Sequence, residues 1–250
     1  VTRAAAGVRW SIDDGVAWIT LARPRRGNRV DLGAAQALCA AAEEIELDDR
    51  VAVAVVSGSG RAFCLGVEDG GAWETERTDW VDAVARLTCP VLAALNGDAV
   101  AEGCELALAC DLRLAAPGAA LSLPQVADGR LPRHGATQRL PRLIGRARAL
   151  DLLLSGRRVG AREAARIGLV SRVAAGGFAA ALRAEVASLR EKGPVALRLG
   201  KEAVQKGIDL TLEQGLRLEQ DLYVLLQTTA DRGEGVRAFR ERRRPRFRGR

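Results

Sequence analysis

Residues 99–111, AVAEGCELALACD, constrain this chain more than any other stretch. From Gly103 to Cys110 the only polar side chain is Glu105, so a helix over 101–110 is apolar on every face and belongs in an interior. The fold must wrap that helix completely. It must also accommodate a carboxylate, which is costly to bury without a partner. Glu105 is either paired structurally, with an arginine such as Arg113 or Arg139, or kept for chemistry.

Two apolar runs indicate what does the wrapping. VAVAVVSG (51–58) and VLAALNG (91–97) read as strands buried on both faces. Before them, Val8–Ile12 and Val16–Leu21 read as a hairpin turning at Asp13-Asp14-Gly15. Asp31 is placed to cap a helix over LGAAQALCAAAEEIELDD, with its acidic residues outward. A helix around Trp80–Leu87 precedes the second apolar run. DLRLAA (111–116), a segment near Leu121–Leu123 and LVSRV (169–173) read as further strands. From Gly135 the pattern becomes mostly helical: Thr137–Ile144, Ala147–Leu154, Ala161–Ile167, Phe178–Lys192, Pro194–Lys206, Leu212–Thr228 and Asp231–Arg242. Strand–helix alternation followed by helices predicts an α/β core with a helical appendage.

A chain of 250 residues that is 48% hydrophobic can bury a full core. No apolar run approaches the ~18–20 residues of a membrane span. The opening VTRAAAGVRWSIDDGV turns polar too soon for a secretory signal, so the expected location is cytoplasmic. Cys39, Cys64, Cys89, Cys104 and Cys110 contain no C-x-x-C pair and sit mostly in apolar settings, which reads as small buried hydrophobes. A single histidine, His134, excludes a multi-histidine metal site, and no metal is expected. The net charge is +7, with much of the excess in RERRRPRFRGR at the end. A basic segment of this kind suits nucleic acid, a membrane surface or a phosphorylated small molecule.

Several stretches together resemble the crotonase (enoyl-CoA hydratase/isomerase) superfamily. They are RPRRGN, SGSGRAFCLGVE, CPVLAALNGDAVAEGCELALACDLRLAA, LPRHGATQRLPRLIGRARALDLLLSGRRVGAREAARIGLVSRV and the closing GVRAFRERRRPRF. They cover nearly the whole chain in the right order. The resemblance implies a spiral of ββα turns over 1–190 and a C-terminal helical trimerisation region over 191–250. It also implies a homotrimer or dimer of trimers. The substrate is an acyl-CoA, or an acyl group on a carrier's phosphopantetheine, with no separate cofactor. The shared chemistry forms an enolate beside a thioester carbonyl, held by two backbone N–H groups.

Carried over residue by residue, the first N–H falls in Phe63-Cys64-Leu65-Gly66, at Leu65. The second falls at Glu102, where relatives usually have glycine. Gly66 and Gly103, beside these donors, are counted with the substrate-binding residues. Glu105 matches the first of two catalytic glutamates. Gln125 stands in place of the second, keeping its shape without its proton, and an alternative register puts Asp128 in that role. Arg133 and His134 replace small residues of a glycine-rich turn. Arg133 is positioned to pair with Glu102, Glu105 or a substrate carboxylate. His134 either takes over the missing acid/base role or caps the helix beginning near Gly135. Arg25 and Arg26 are expected at the CoA phosphates, with the backbone of Gly27–Val30 near the adenine. Phe239 and Arg242 match positions reaching across from a neighbouring subunit. The loop Asp69–Asp79, with Trp73 and Trp80 at or near its ends, is expected to shape acyl specificity.

The leading expectation is an enoyl-CoA hydratase/isomerase-like enzyme with Glu105 as its single principal acid/base. The competing readings are a decarboxylase of malonyl-type thioesters, an RNA-binding protein using the basic C-terminus, and a non-catalytic partner subunit.

Overall fold

The computed structural model describes residues 2–68 and 79–249. Strands β1 (Thr2–Ala5), β2 (Val8–Asp13) and β3 (Val16–Leu21) form an antiparallel ladder. The β2–β3 connection carries Asp14 and Gly15 at φ +48° and +77°, the left-handed pair that a tight hairpin requires. Helix α1 (Leu32–Glu46) starts at Asp31, whose carboxylate accepts the Ala34 N–H at 2.9 Å. Ala34, Ala35, Ala37, Ala41 and Ala42 face inward with Leu38 and Ile45.

Successive ββα turns follow. The first is β4 (Val53–Gly58), β5 (Ala62–Cys64) and α2 (Trp80–Ala85). The second is β6 (Val91–Leu95), β7 (Asp98–Val100) and α3 (Glu102–Ala109). The third is β8 (Leu112–Ala115) and β9 (Ala120–Ser122), then a 3₁₀ turn (Pro124–Asp128) and α4 (Ala136–Ile144). In each turn the first strand joins one sheet and the second strand another. Then come α5 (Arg146–Ser155), β10 (Val159–Gly160), α6 (Ala161–Arg166) and β11 (Arg172–Val173). The chain closes with α7 (Phe178–Arg190), α8 (Pro194–Gly207), α9 (Leu212–Gln227) and α10 (Ala230–Arg240). Among the described residues the strands form a sheet of seven, β1-β2-β3-β4-β6-β8-β11, and a sheet of four, β10-β9-β7-β5. The large sheet is parallel from β3 onward.

Alternate residues of β4 show why its sequence is apolar throughout. Ala54 and Val56 enter the main core with Phe63, Trp80, Leu95, Leu106 and Leu140. Val53 and Val55 face the other side, where Leu92, Leu114 and Val186 of α7 cover the sheet. Helices α8 and α9 bury no residue within the chain. Lys201 of α8 nevertheless anchors to the core through Asp111 at 2.7 Å and the carbonyls of Leu87 and Cys89. The expected boundary near 190 falls between α7 and α8.

The strands β1, β5, β7 and β10 are absent from the sequence reading, because two to four residues carry no periodic signal. Only Arg172 and Val173 of LVSRV form a strand. Burial pushes the Cys64, Cys104 and Cys110 thiols up to about 12 and the Cys89 thiol to about 11, so these are inert packing groups. Among the described residues no helix is long and apolar enough to cross a membrane, and no cluster of side chains suits a metal.

Ala101, immediately before α3, has φ +51° and ψ −121°, a conformation that disfavours any Cβ. Ala101→Gly is expected to stabilise the protein by about 1 kcal/mol, the relieved strain exceeding the added chain entropy of glycine. Urea unfolding of the two proteins checks this, and a destabilised glycine variant would refute it.

Candidate active site

Every residue of α3 is buried, Glu102 and Glu105 included. The helix start abuts the turn after β5. A Cβ on Gly103 would lie 2.1 Å from the Cys64 carbonyl oxygen, so only glycine permits this approach. Gly66, at φ +100°, lets that turn fold back over the helix end. At the opposite end the buried Arg113 guanidinium donates to the carbonyls of Ala107 and Cys110 at 3.2 and 2.6 Å. The helix thus holds a cation at its C-terminus and two carboxylates in its first turn, as its dipole favours.

Neither proposed arginine pairs with Glu105. Arg113 serves those carbonyls, and Arg139 binds Asp82 and the His134 carbonyl. Glu105 Oε1 instead accepts the backbone N–H groups of His134 at 2.8 Å and Ala136 at 3.2 Å, at the N-terminus of α4. Burial pushes its carboxyl up to about 7, against these N–H groups, and the nearby Glu102 charge pushes it the same way. A carboxyl titrating near neutrality is suited both to take and to return a proton.

Gln125 lies in the 3₁₀ turn, 1% exposed, with Nε2 3.4 Å from Glu105 Oε2. Its Oε1 is buried with no hydrogen-bond partner among the described residues. Such an acceptor is unfavourable unless something occupies the space before it. Asp128 does not share this site, being exposed and paired with Arg130 at 3.5 Å.

His134 contributes its backbone rather than a side-chain cap. Its ring rests against fully buried Trp80, with centroids 5.3 Å apart. Burial, helped by the Arg133 charge, pushes the imidazole down to about 4, so it is neutral at pH 7. The Arg133 backbone also favours the charged Glu105, while its side chain is exposed. Of the expected specificity loop, residues 69–78, including Trp73, lie outside the described residues.

The sequence reading placed a free N–H at Leu65. The structure engages that N–H with the Gly27 carbonyl at 3.0 Å, so it is not available to a substrate. Two residues later the Val67 N–H points to Glu102 Oε2 at 3.2 Å, and Glu102 Oε1 lies 3.4 Å from Arg130. The Glu102 N–H is the first of α3 and has no intrahelical acceptor. Val67 and Arg130 are the residues that sequence reading missed. A two-residue offset in a turn decides the first, and an exposed loop arginine gives no signal for the second.

The loop bearing Arg25 and Arg26 flanks this turn, since Val30 N–H bonds the Gly66 carbonyl. Arg26 is paired with Glu68 at 2.9 Å, and Arg25 is exposed. Phe239, 85% exposed on α10, and Arg242 make no hydrogen bond or ion pair to that loop within the described residues. The basic end is not an extended arm. Arg243 binds Glu234 and holds its carboxyl down at about 2, Arg244 binds Glu191, and Asp231 accepts the N–H groups of Arg248 and Gly249.

The model of the enoyl-CoA hydratase/isomerase family matches residues 11–250. YngF of Bacillus subtilis is 38% identical over 94% of this chain and 95% of its own. The 2,3-dehydroadipyl-CoA hydratase of Escherichia coli is 34% identical, over 93% and 94%. A crystal structure of enoyl-CoA hydratase from Bacillus anthracis superposes with a TM-score of 0.92 at 35% identity, covering 98% of this chain and all of that one.

A carboxyl raised from 4.5 to about 7 favours the fold fully below 4.5, and that contribution is lost as pH rises through 7. Glu105→Gln, which cannot ionise, should therefore gain stability relative to the parent as pH rises. The expected gain from pH 4.5 to pH 8 is up to about 3 kcal/mol. Urea unfolding at the two pH values measures it, and a pH-independent difference would refute it.

Proposed function

This chain belongs to the enoyl-CoA hydratase/isomerase family, and on that premise we propose that it hydrates or isomerises an enoyl thioester with Glu105 as its single acid/base. The observation that carries the proposal is the Glu105 carboxyl itself: buried, near pKa 7 and, among the described residues, paired with no arginine and beside an amide oxygen without a partner.

In hydration, Glu105 accepts a proton from water as the water oxygen bonds to the β-carbon. The electron pair of the double bond shifts to join the α-carbon to the carbonyl carbon, and the carbonyl π pair moves onto the thioester oxygen, giving an enolate. Glu105 then returns the proton to the α-carbon, so the carboxyl ends as it began. Gln125 Oε1 accepts the water's second O–H and orients it, a task for which an amide suffices. The N–H groups of Val67 and Glu102 form the pair that meets the enolate oxygen, one from the turn after β5 and one from the start of α3. His134 acts through its backbone N–H on Glu105. No separate cofactor is required.

CoA or a carrier's phosphopantetheine presents the acyl group, its phosphates meeting Arg25 and Arg26. Residues 191–250 form the helical region of a trimer or dimer of trimers, and exposed Leu216, Tyr223, Val224 and Leu225 on α9 support such a contact. Phe239 and Arg242 then reach a neighbour's CoA. The cytoplasm is the fitting compartment, because all five cysteines are free.

Mass-spectrometric turnover with a panel of enoyl-, 3-hydroxyacyl- and malonyl-type CoA thioesters tests the reading. Hydration, dehydration or isomerisation should appear, and Glu105→Gln should lower kcat by about 10²–10⁴-fold. Turnover of malonyl-type compounds alone, surviving in the variant, would overturn it in favour of decarboxylation. In the hydration direction kcat/KM should rise with pH through about 7 as Glu105 ionises. His134→Ala, which keeps the backbone N–H, should retain activity to within about tenfold, and a loss as large as that of Glu105→Gln would assign proton transfer to the imidazole.

A further inference from the structure

Among the described residues, Glu102 is the carboxylate of the site that the chemistry above leaves without a task. Its side chain is 4% exposed and faces the turn after β5, where it meets the Val67 N–H. Oε2 accepts the Val67 N–H at 3.2 Å and lies 2.8 Å from where a Cβ on Gly66 would stand. Oε1 meets Arg130 at 3.4 Å. These contacts fill the space in front of the Val67 N–H with a negatively charged oxygen.

That space is also where a thioester oxygen must come. A backbone N–H has one hydrogen, and two oxygens cannot both take it at 2.7–3.2 Å with good alignment. Among the described residues the present occupant is held lightly for a buried carboxylate, by one N–H and one long guanidinium contact. Arg130 itself is 44% exposed, so the cation of this pair reaches solvent. Displacement of Glu102 toward it keeps the carboxylate near a cation and frees the N–H.

We infer that the Glu102 carboxylate is a built-in ligand of the thioester-oxygen site, and that a substrate binds by exchanging its carbonyl oxygen for this carboxylate. The inference rests on the assignment of Val67 and Glu102 N–H as the donors to that oxygen. Its consequence is a site that draws little ground-state affinity from the carbonyl, because the hydrogen bond it accepts from Val67 replaces the one that Glu102 already accepts. Recognition then falls on the acyl chain and the CoA portion, and Glu102 sets how strongly the carbonyl contributes.

Calorimetric titration with butyryl-CoA and with butyl-CoA, the thioether that lacks the carbonyl oxygen, tests this. Neither compound has a double bond to hydrate, so binding is read without turnover. The parent protein should bind the two within about threefold of each other. Glu102→Gly, which empties the site and keeps the backbone N–H, should prefer the thioester by about tenfold. Glu102→Ala should behave alike and serves if the glycine variant melts early. Equal thioester-to-thioether ratios in the parent and both variants would overturn the inference and leave the thioester reading standing. Binding of neither compound by any of the three proteins would overturn the thioester reading and this inference together.

Discussion

The site depends on a helix eight residues long that has no exposed side. Because α3 is packed on all faces, its position is set by close contacts rather than by solvent. The tightest of these is Gly103 against the Cys64 carbonyl, which brings the helix start to the turn after β5. A side chain there would force the two apart and separate the Val67 and Glu102 N–H groups. Arg113 completes the arrangement from the far end by satisfying carbonyls that α3 leaves unpaired. Ala101 enters the helix in a strained conformation, a cost that the surrounding packing sustains.

On this frame the electrostatics of Glu105 are a contest that burial wins. The N–H groups at the start of α4 favour the carboxylate, and alone they would hold its pKa low. Removal from water and the charge of Glu102 act the other way and bring it to about 7. Helix α4 therefore positions the carboxyl without fixing it in one protonation state. An arginine in the same place would have fixed the charge and removed the group from acid/base use.

Much of this was legible in the amino-acid sequence. The buried strands were visible in VAVAVVSG and VLAALNG, and the buried helix in GCELALACD, because continuous apolar runs admit few placements. The cost of a carboxylate in such a helix singled out Glu105 as either paired or kept for chemistry, and the resemblance supplied the acid/base role. Of the four-stranded sheet only β9 was legible, near Leu121–Leu123; β5, β7 and β10 were not, since pairs and triplets of residues have no period. The Val67 N–H, the proposed donor, was missed for a geometric reason. The chain makes a reversed turn at Gly66, and only coordinates show that the Leu65 N–H is used by Gly27 while the Val67 N–H faces the helix start. Arg130 was missed because one loop arginine in an arginine-rich chain is indistinguishable from its neighbours.

An amide at Gln125, where the resemblance expects a second carboxylate, is compatible with the proposed hydration. Addition of water across a double bond consumes one proton and releases one, so a single carboxyl that takes the water's proton and returns it at the adjacent carbon closes the balance. What the second position must still provide is an acceptor for the other O–H of the water, and Gln125 Oε1 is such an acceptor. A second carboxylate 3.4 Å from Glu105 would bring like charges together and drive one of the two pKa values still higher. With Glu102 already contributing one negative charge, the amide adds no further carboxylate beside Glu105 and leaves it where it can titrate near neutrality.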